Sequence, residues 1–83
     1  MLSRREVEAL LSKLCIDLGL CLPPADQDGL AAEPPSDVRA FTDAVFLAEG
    51  LDPALADRHI YRRVQDMVSE AFQKSVAVRE DDA

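Results

Sequence analysis

One histidine, two cysteines and three glycines are a thin inventory for chemistry, and no apolar run reaches the ~20 residues a membrane span requires. A structural zinc site takes four ligands. Cys15, Cys21 and His59 offer three, and the cysteines stand six residues apart rather than at C-x₂₋₄-C spacing. Two cysteines are also too few for the disulfide framework of small secreted domains, so both read as buried free thiols, Cys15 on a helix stripe and Cys21 in an apolar turn. With so few glycines there is no phosphate-cradling loop, and the serines at 3, 12, 36, 69 and 75 share no motif with His59. Asp26-Gln-Asp28-Gly29 resembles the middle of a calcium loop, but that register puts Pro24 and Pro35 where acids are required. Ser36 precedes an acid rather than following one, against the Asp-Ser-Leu order of phosphopantetheine carriers. The expectation is a protein without catalysis, cofactor or metal.

Bases are scarce as well. Nine against sixteen acids leave a net charge of −7, which argues against nucleic acid and anionic membrane surfaces as partners. The distribution is uneven: residues 14–57 carry nine acids against Arg39 alone, a block of −8, while residues 58–79 sum to +3. Such a block steers a basic partner, or it is simply a solvated acidic surface. At 83 residues the chain can bury about 63% of its extended surface, enough for one modest core. Charges throughout residues 1–20 exclude a secretory apolar segment, and the expected compartment is the cytoplasm.

What is present is helical. Ser3-Arg-Arg-Glu6 fits a capping box, and Val7, Leu10, Leu11, Leu14, Cys15 and Leu18 follow as one apolar stripe that stops at Gly19. Leu20 to Pro24 reads as a packed turn. A short helix from about Pro24, with Leu30 as its buried residue, lies between two Pro-Pro pairs. Ser36 is placed as the N-cap of a third helix that runs to Gly50, with Asp37 in its first turn. Asp52-Pro53 starts a single turn, and Asp57 caps the longest helix, in which Ile60, Tyr61, Val64, Met67, Val68, Ala71 and Phe72 keep helical spacing. No strand pattern or repeat occurs. The fold class is all-α, a small bundle of three main helices plus one short one, with a single domain over 1–76 and a frayed acidic tail over 77–83.

The third helix carries the candidate site. If Val38, Phe41, Val45 and Ala48 face the core, a 100° step leaves Arg39, Asp43, Phe46 and Leu47 on flanking or opposite sides. Either neighbouring helices cover Phe46 and Leu47, or the two are apolar anchors among acids. On the second reading the partner-binding residues are Asp43, Phe46, Leu47 and Glu49, with Asp26 and Asp28 extending the acidic face. Arg58, Arg62 and Arg63 form a solvated helix face or a self-association patch that meets the acidic block.

Leu14-Cys-Ile-Asp-Leu-Gly-Leu-Cys-Leu-Pro-Pro24 and Phe41-Thr-Asp-Ala-Val-Phe-Leu-Ala-Glu-Gly-Leu-Asp-Pro53 resemble segments of small bacterial proteins, some of which accompany polymorphic toxins as immunity proteins. In size, acidity and helical content the chain is also similar to the E-type colicin immunity proteins, four-helix domains that cover a basic nuclease with an acidic surface. Their adjacent tyrosine pair has no counterpart, since Tyr61 stands between Ile60 and Arg62, and no binding residue carries over. The resemblance implies a binding protein that inhibits or escorts a basic protein, in its most specific form a bacterial toxin. The alternative is a self-associating helical protein, a homodimer in the simplest case, with a structural or regulatory role.

Overall fold

Four helices arise from local signals, and the second and third pack on different partners. The computed structural model describes residues 2–82, with side chains through Lys74. Helix α1 spans Arg4–Leu18, α2 Pro24–Ala32, α3 Val38–Ala48 and α4 Arg58–Asp82, and there is no strand among the described residues. Helix α2 packs on α1, α1 on α4, and α4 on α3.

The capping box at the start of α1 forms in both directions: Ser3 Oγ accepts from the Glu6 N–H at 3.2 Å, and Glu6 Oε1 accepts from the Ser3 N–H at 2.9 Å. Leu2 and Val7 occupy the positions of a hydrophobic staple, and both are buried. Val7, Leu10, Leu11 and Leu14 form the buried stripe. Gly19, at φ 72°, ends the helix, and its N–H and that of Leu20 close back onto the Cys15 and Leu14 carbonyls.

That left-handed turn overturns the thiol expectation. By reversing the chain, Gly19 returns Cys21 to the last turn of α1, where the Cα atoms of Cys15 and Cys21 stand 4.3 Å apart and the sulfurs are joined in a disulfide. Cys15 is half-buried and Cys21 exposed, so neither is a buried free thiol. Leu22, just beyond, is buried as its apolar turn suggests.

Helix α2 begins with proline at its first position, and Ala31 rather than Leu30 is its buried residue; Leu30 packs at the core's edge. Asp37, not Ser36, caps α3: its Oδ1 accepts from the Ala40 N–H at 2.7 Å. Both residue types cap helices well, and the aspartate stands one residue nearer the helix. Downstream, Asp52 caps a single turn through the Ala54 N–H, and Asp57 caps α4 through the His59 and Ile60 N–H groups.

The core joins Leu10, Leu11 and Leu14 of α1 to Phe41, Val45 and Phe46 of α3 and to Val64 and Val68 of α4. Two aromatic pairs fix α3 against α4. Phe41 meets Phe72 edge-on at 6.2 Å, and Phe46 stacks on Tyr61 at 5.3 Å with 21° between the rings. Helix α4 continues past residue 76 to Asp82. The frayed acidic tail read over 77–83 concerns residues whose side chains lie outside the described ones.

Candidate binding site

The buried face of α3 is Phe41, Thr42, Val45 and Phe46, a stripe rotated toward Phe46 from the expected 38/41/45/48 line; Val38 and Ala48 sit at its margins. Thr42 is tolerated there because its hydroxyl donates to the Val38 carbonyl at 2.8 Å. The rotation separates the two apolar residues treated together in the sequence. Phe46 is 1% exposed and belongs to the core, which corrects its assignment to an outward face, whereas Leu47 is 63% exposed.

Leu47 is not isolated. Gly50, at φ 76°, turns the chain, and the connection to α4 exposes Leu51 and, at 84%, Leu55. Asp43, Glu49, Asp52 and Asp57 interleave these leucines along the sequence; Asp52 and Asp57 are exposed like the leucines, and Asp43 and Glu49 are half-buried. Glu49 is half-buried, and its Oε1 has no hydrogen-bond partner.

Asp26 and Asp28 are exposed on α2, and Asp28 Oδ1 accepts from Arg4 at 3.3 Å. The six residues of the sequence-derived site therefore divide. Two ride on α2 against α1, and three of the four on α3 and its end reach the surface. Sequence reasoning missed Leu51 and Leu55. Their signal was available: both fall outside any helical stripe, between Gly50 and the cap Asp57.

On the α4 side of α3 lies an open cleft of about 910 Å³. Arg39 and Asp43, one turn apart on α3, form one wall. Arg58, Tyr61, Arg62 and Gln65, at i, i+3, i+4 and i+7, form the opposite wall on α4. His59 joins that wall, and Asp52 to Ala54 with Ala56 close one end. Tyr61 Oη donates to Asp43 Oδ1 at 2.6 Å. That hydrogen bond, with burial and the negative charge of Asp43, raises the Tyr61 pKa above its ordinary 10.0, while neighbouring Arg39 opposes the shift. A smaller groove of about 200 Å³ lies between α1 and α4, where Lys74 pairs with Glu70 at 3.0 Å.

No group of three or more His, Cys, Asp or Glu among the described residues could hold a metal ion. No family model matches the sequence, and neither a curated protein nor a solved structure is similar to it.

Proposed function

We propose that the chain is a non-catalytic binding protein that inhibits or escorts a basic protein partner. The observation that carries the reading is the surface of residues 43–57, where exposed Leu47, Leu51 and Leu55 alternate with Asp43, Glu49, Asp52 and Asp57. In such a surface acids speed encounter with a basic partner, and desolvated leucines slow its release. Phe46 contributes indirectly, holding α3 in place from the core. The most specific form of the proposal, an immunity protein neutralising a bacterial toxin, draws on the resemblance of residues 14–24 and 41–53. No helix among the described residues is long and apolar enough to cross a membrane, which is compatible with the cytoplasm as the working compartment. The Cys15–Cys21 bond sets a condition on that placement, because a reducing cytoplasm keeps such a pair as thiols.

The same leucines favour the second reading, a self-associating protein. One pair of measurements separates the two. Affinity capture with the full chain from its native host, repeated with Leu47→Asp/Leu55→Asp, should retain a basic protein only on the unaltered chain, in a salt-sensitive manner. Sedimentation should show a monomer. A captured protein that is acidic, or held equally by the variant, overturns the proposal; a symmetric dimer that the variant dissociates establishes self-association instead.

A further inference from the structure

We infer that the α3–α4 cleft is a binding site for a small organic phosphomonoester, held by Arg39, Arg58 and Arg62. The first ground is the convergence of guanidinium groups from two elements. Arg39 is the lone base in a block of −8, yet the fold sets it across a cleft from Arg58 and Arg62. The second is the state of the lining carboxylates. Asp43 accepts the Tyr61 hydroxyl at 2.6 Å, and Asp52 accepts the Ala54 N–H at 2.9 Å. The ion pairs among the described residues are Arg4–Glu8, Arg4–Asp28 and Lys74–Glu70, none of which involves a cleft arginine. Three exposed arginines thus line one cleft with Asp43 and Asp52, and none of the three is tied to a carboxylate in an ion pair among the described residues.

The chemistry follows from charge and shape. With Asp43 and Asp52 in the same lining the three guanidiniums leave a balance of +1, so the number of acceptor oxygens, three in a phosphate against two in a carboxylate, chooses the ligand. A phosphomonoester carries about −1.5 to −2 near neutral pH and offers three acceptor oxygens to planar donor forks. Arg58 and Arg62 lie one turn apart on the same face of α4, spaced to take two of those oxygens, while Arg39 approaches from α3. A volume of about 910 Å³ exceeds what the phosphate needs. Pro53, Ala54 and Ala56 line part of the remainder, and they offer apolar surface to the organic portion. This site shares Asp43 and Asp52 with the leucine-bearing surface of the preceding proposal, but its arginines lie outside that surface and it does not depend on that reading.

The test uses the ¹⁵N-labelled full chain with phenyl phosphate, inorganic phosphate and benzoate as probes. Phenyl phosphate should produce saturable shifts at Arg58, His59 and Arg62, and at the Arg39 side-chain N–H. Arg39→Gln and Arg62→Gln should each weaken it about tenfold, as expected for loss of one charge-assisted contact. Arg63→Gln, on an exposed residue outside the cleft lining, should leave affinity unchanged, and circular dichroism should show all three variants folded as the parent. Shifts centred on Arg4, Arg5 or Arg63, the absence of saturable shifts, or unchanged affinity in both cleft variants overturn the site. Equal binding of benzoate overturns the dianion assignment, and equal binding of inorganic phosphate overturns the organic ester.

Discussion

Replacing Phe46 and Leu47 one at a time by alanine tests whether the boundary between core and surface runs between these adjacent residues. Phe46 is 1% exposed and stacked on Tyr61, so its truncation removes a buried ring, opens a cavity and strips one face of the tyrosine. Phenylalanine-to-alanine changes in such settings cost about 3–5 kcal/mol. A chain of 83 residues has roughly 4–12 kcal/mol in all at 0.05–0.15 kcal/mol per residue, so the variant loses a quarter of its stability or more. With a urea slope of about 1 kcal/mol/M for a small domain, the unfolding midpoint should fall by about 3–5 M. Leu47→Ala, at a 63% exposed position, should stay within about 0.5 kcal/mol of the parent. Phe46→Leu serves as a graded control, milder than alanine by retaining most of the apolar volume. Urea titration followed by far-UV circular dichroism reads all three. A Phe46→Ala protein within ~1 kcal/mol of the parent, or a Leu47→Ala protein equally destabilised, would refute the rotated stripe of α3.

Two further outcomes follow from named contacts. Cys15→Ser/Cys21→Ser opens a ring closed over a sequence separation of 6, for which chain entropy gives roughly 2 kcal/mol and a melting temperature lower by about 8–16 °C; calorimetry showing no drop, in the variant or in the parent under strong reductant, would contradict this. The phenolate absorbance of the single tyrosine should titrate above pH 10 and move lower in Asp43→Asn, because the hydrogen bond and charge of Asp43 are leading causes of the raised pKa. Since the folded-state value lies above the unfolded one, this contribution is fully present below pH 10 and is lost as pH rises through the raised value, so a Tyr61 midpoint below 10 would be incompatible with the contact.

The helices were legible where their causes are local. The Ser3–Glu6 box, the Val7–Leu14 stripe, the Gly19 stop and the Asp57 cap depend on residues within a few positions of each other, and each forms as the sequence implies. Where two local solutions compete, sequence alone chose between near equals: Ser36 and Asp37 can each cap, and the aspartate does. Periodicity also assumes how a helix docks. A stripe of Val38, Phe41, Val45 and Ala48 presumes one line of contact, whereas α3 turns Phe46 against Tyr61 and buries positions 41, 42, 45 and 46. The disulfide was missed because spacing was compared with zinc motifs. The informative feature was a glycine between two cysteines six residues apart, able to reverse the chain and return the second to the first.

Charge sums hide opposite local fields for a related reason. The −8 block and the +3 block are statements about the chain, and a distant partner responds to such totals. At physiological ionic strength the field of exposed charges decays over about 8 Å, so a ligand in contact responds instead to the few groups around it. Folding sets Arg39 in one cleft lining with Arg58 and Arg62 as well as with Asp43 and Asp52, while Asp43, its neighbour one turn on, is held by Tyr61. The leucine-bearing end of α3 keeps its acids. One small domain can therefore present an acidic surface to an approaching protein and a cationic cleft to a small anion. The two preferences meet at Asp43 and Asp52, which belong to both, so an anion held in the cleft changes the charge that the acidic surface presents.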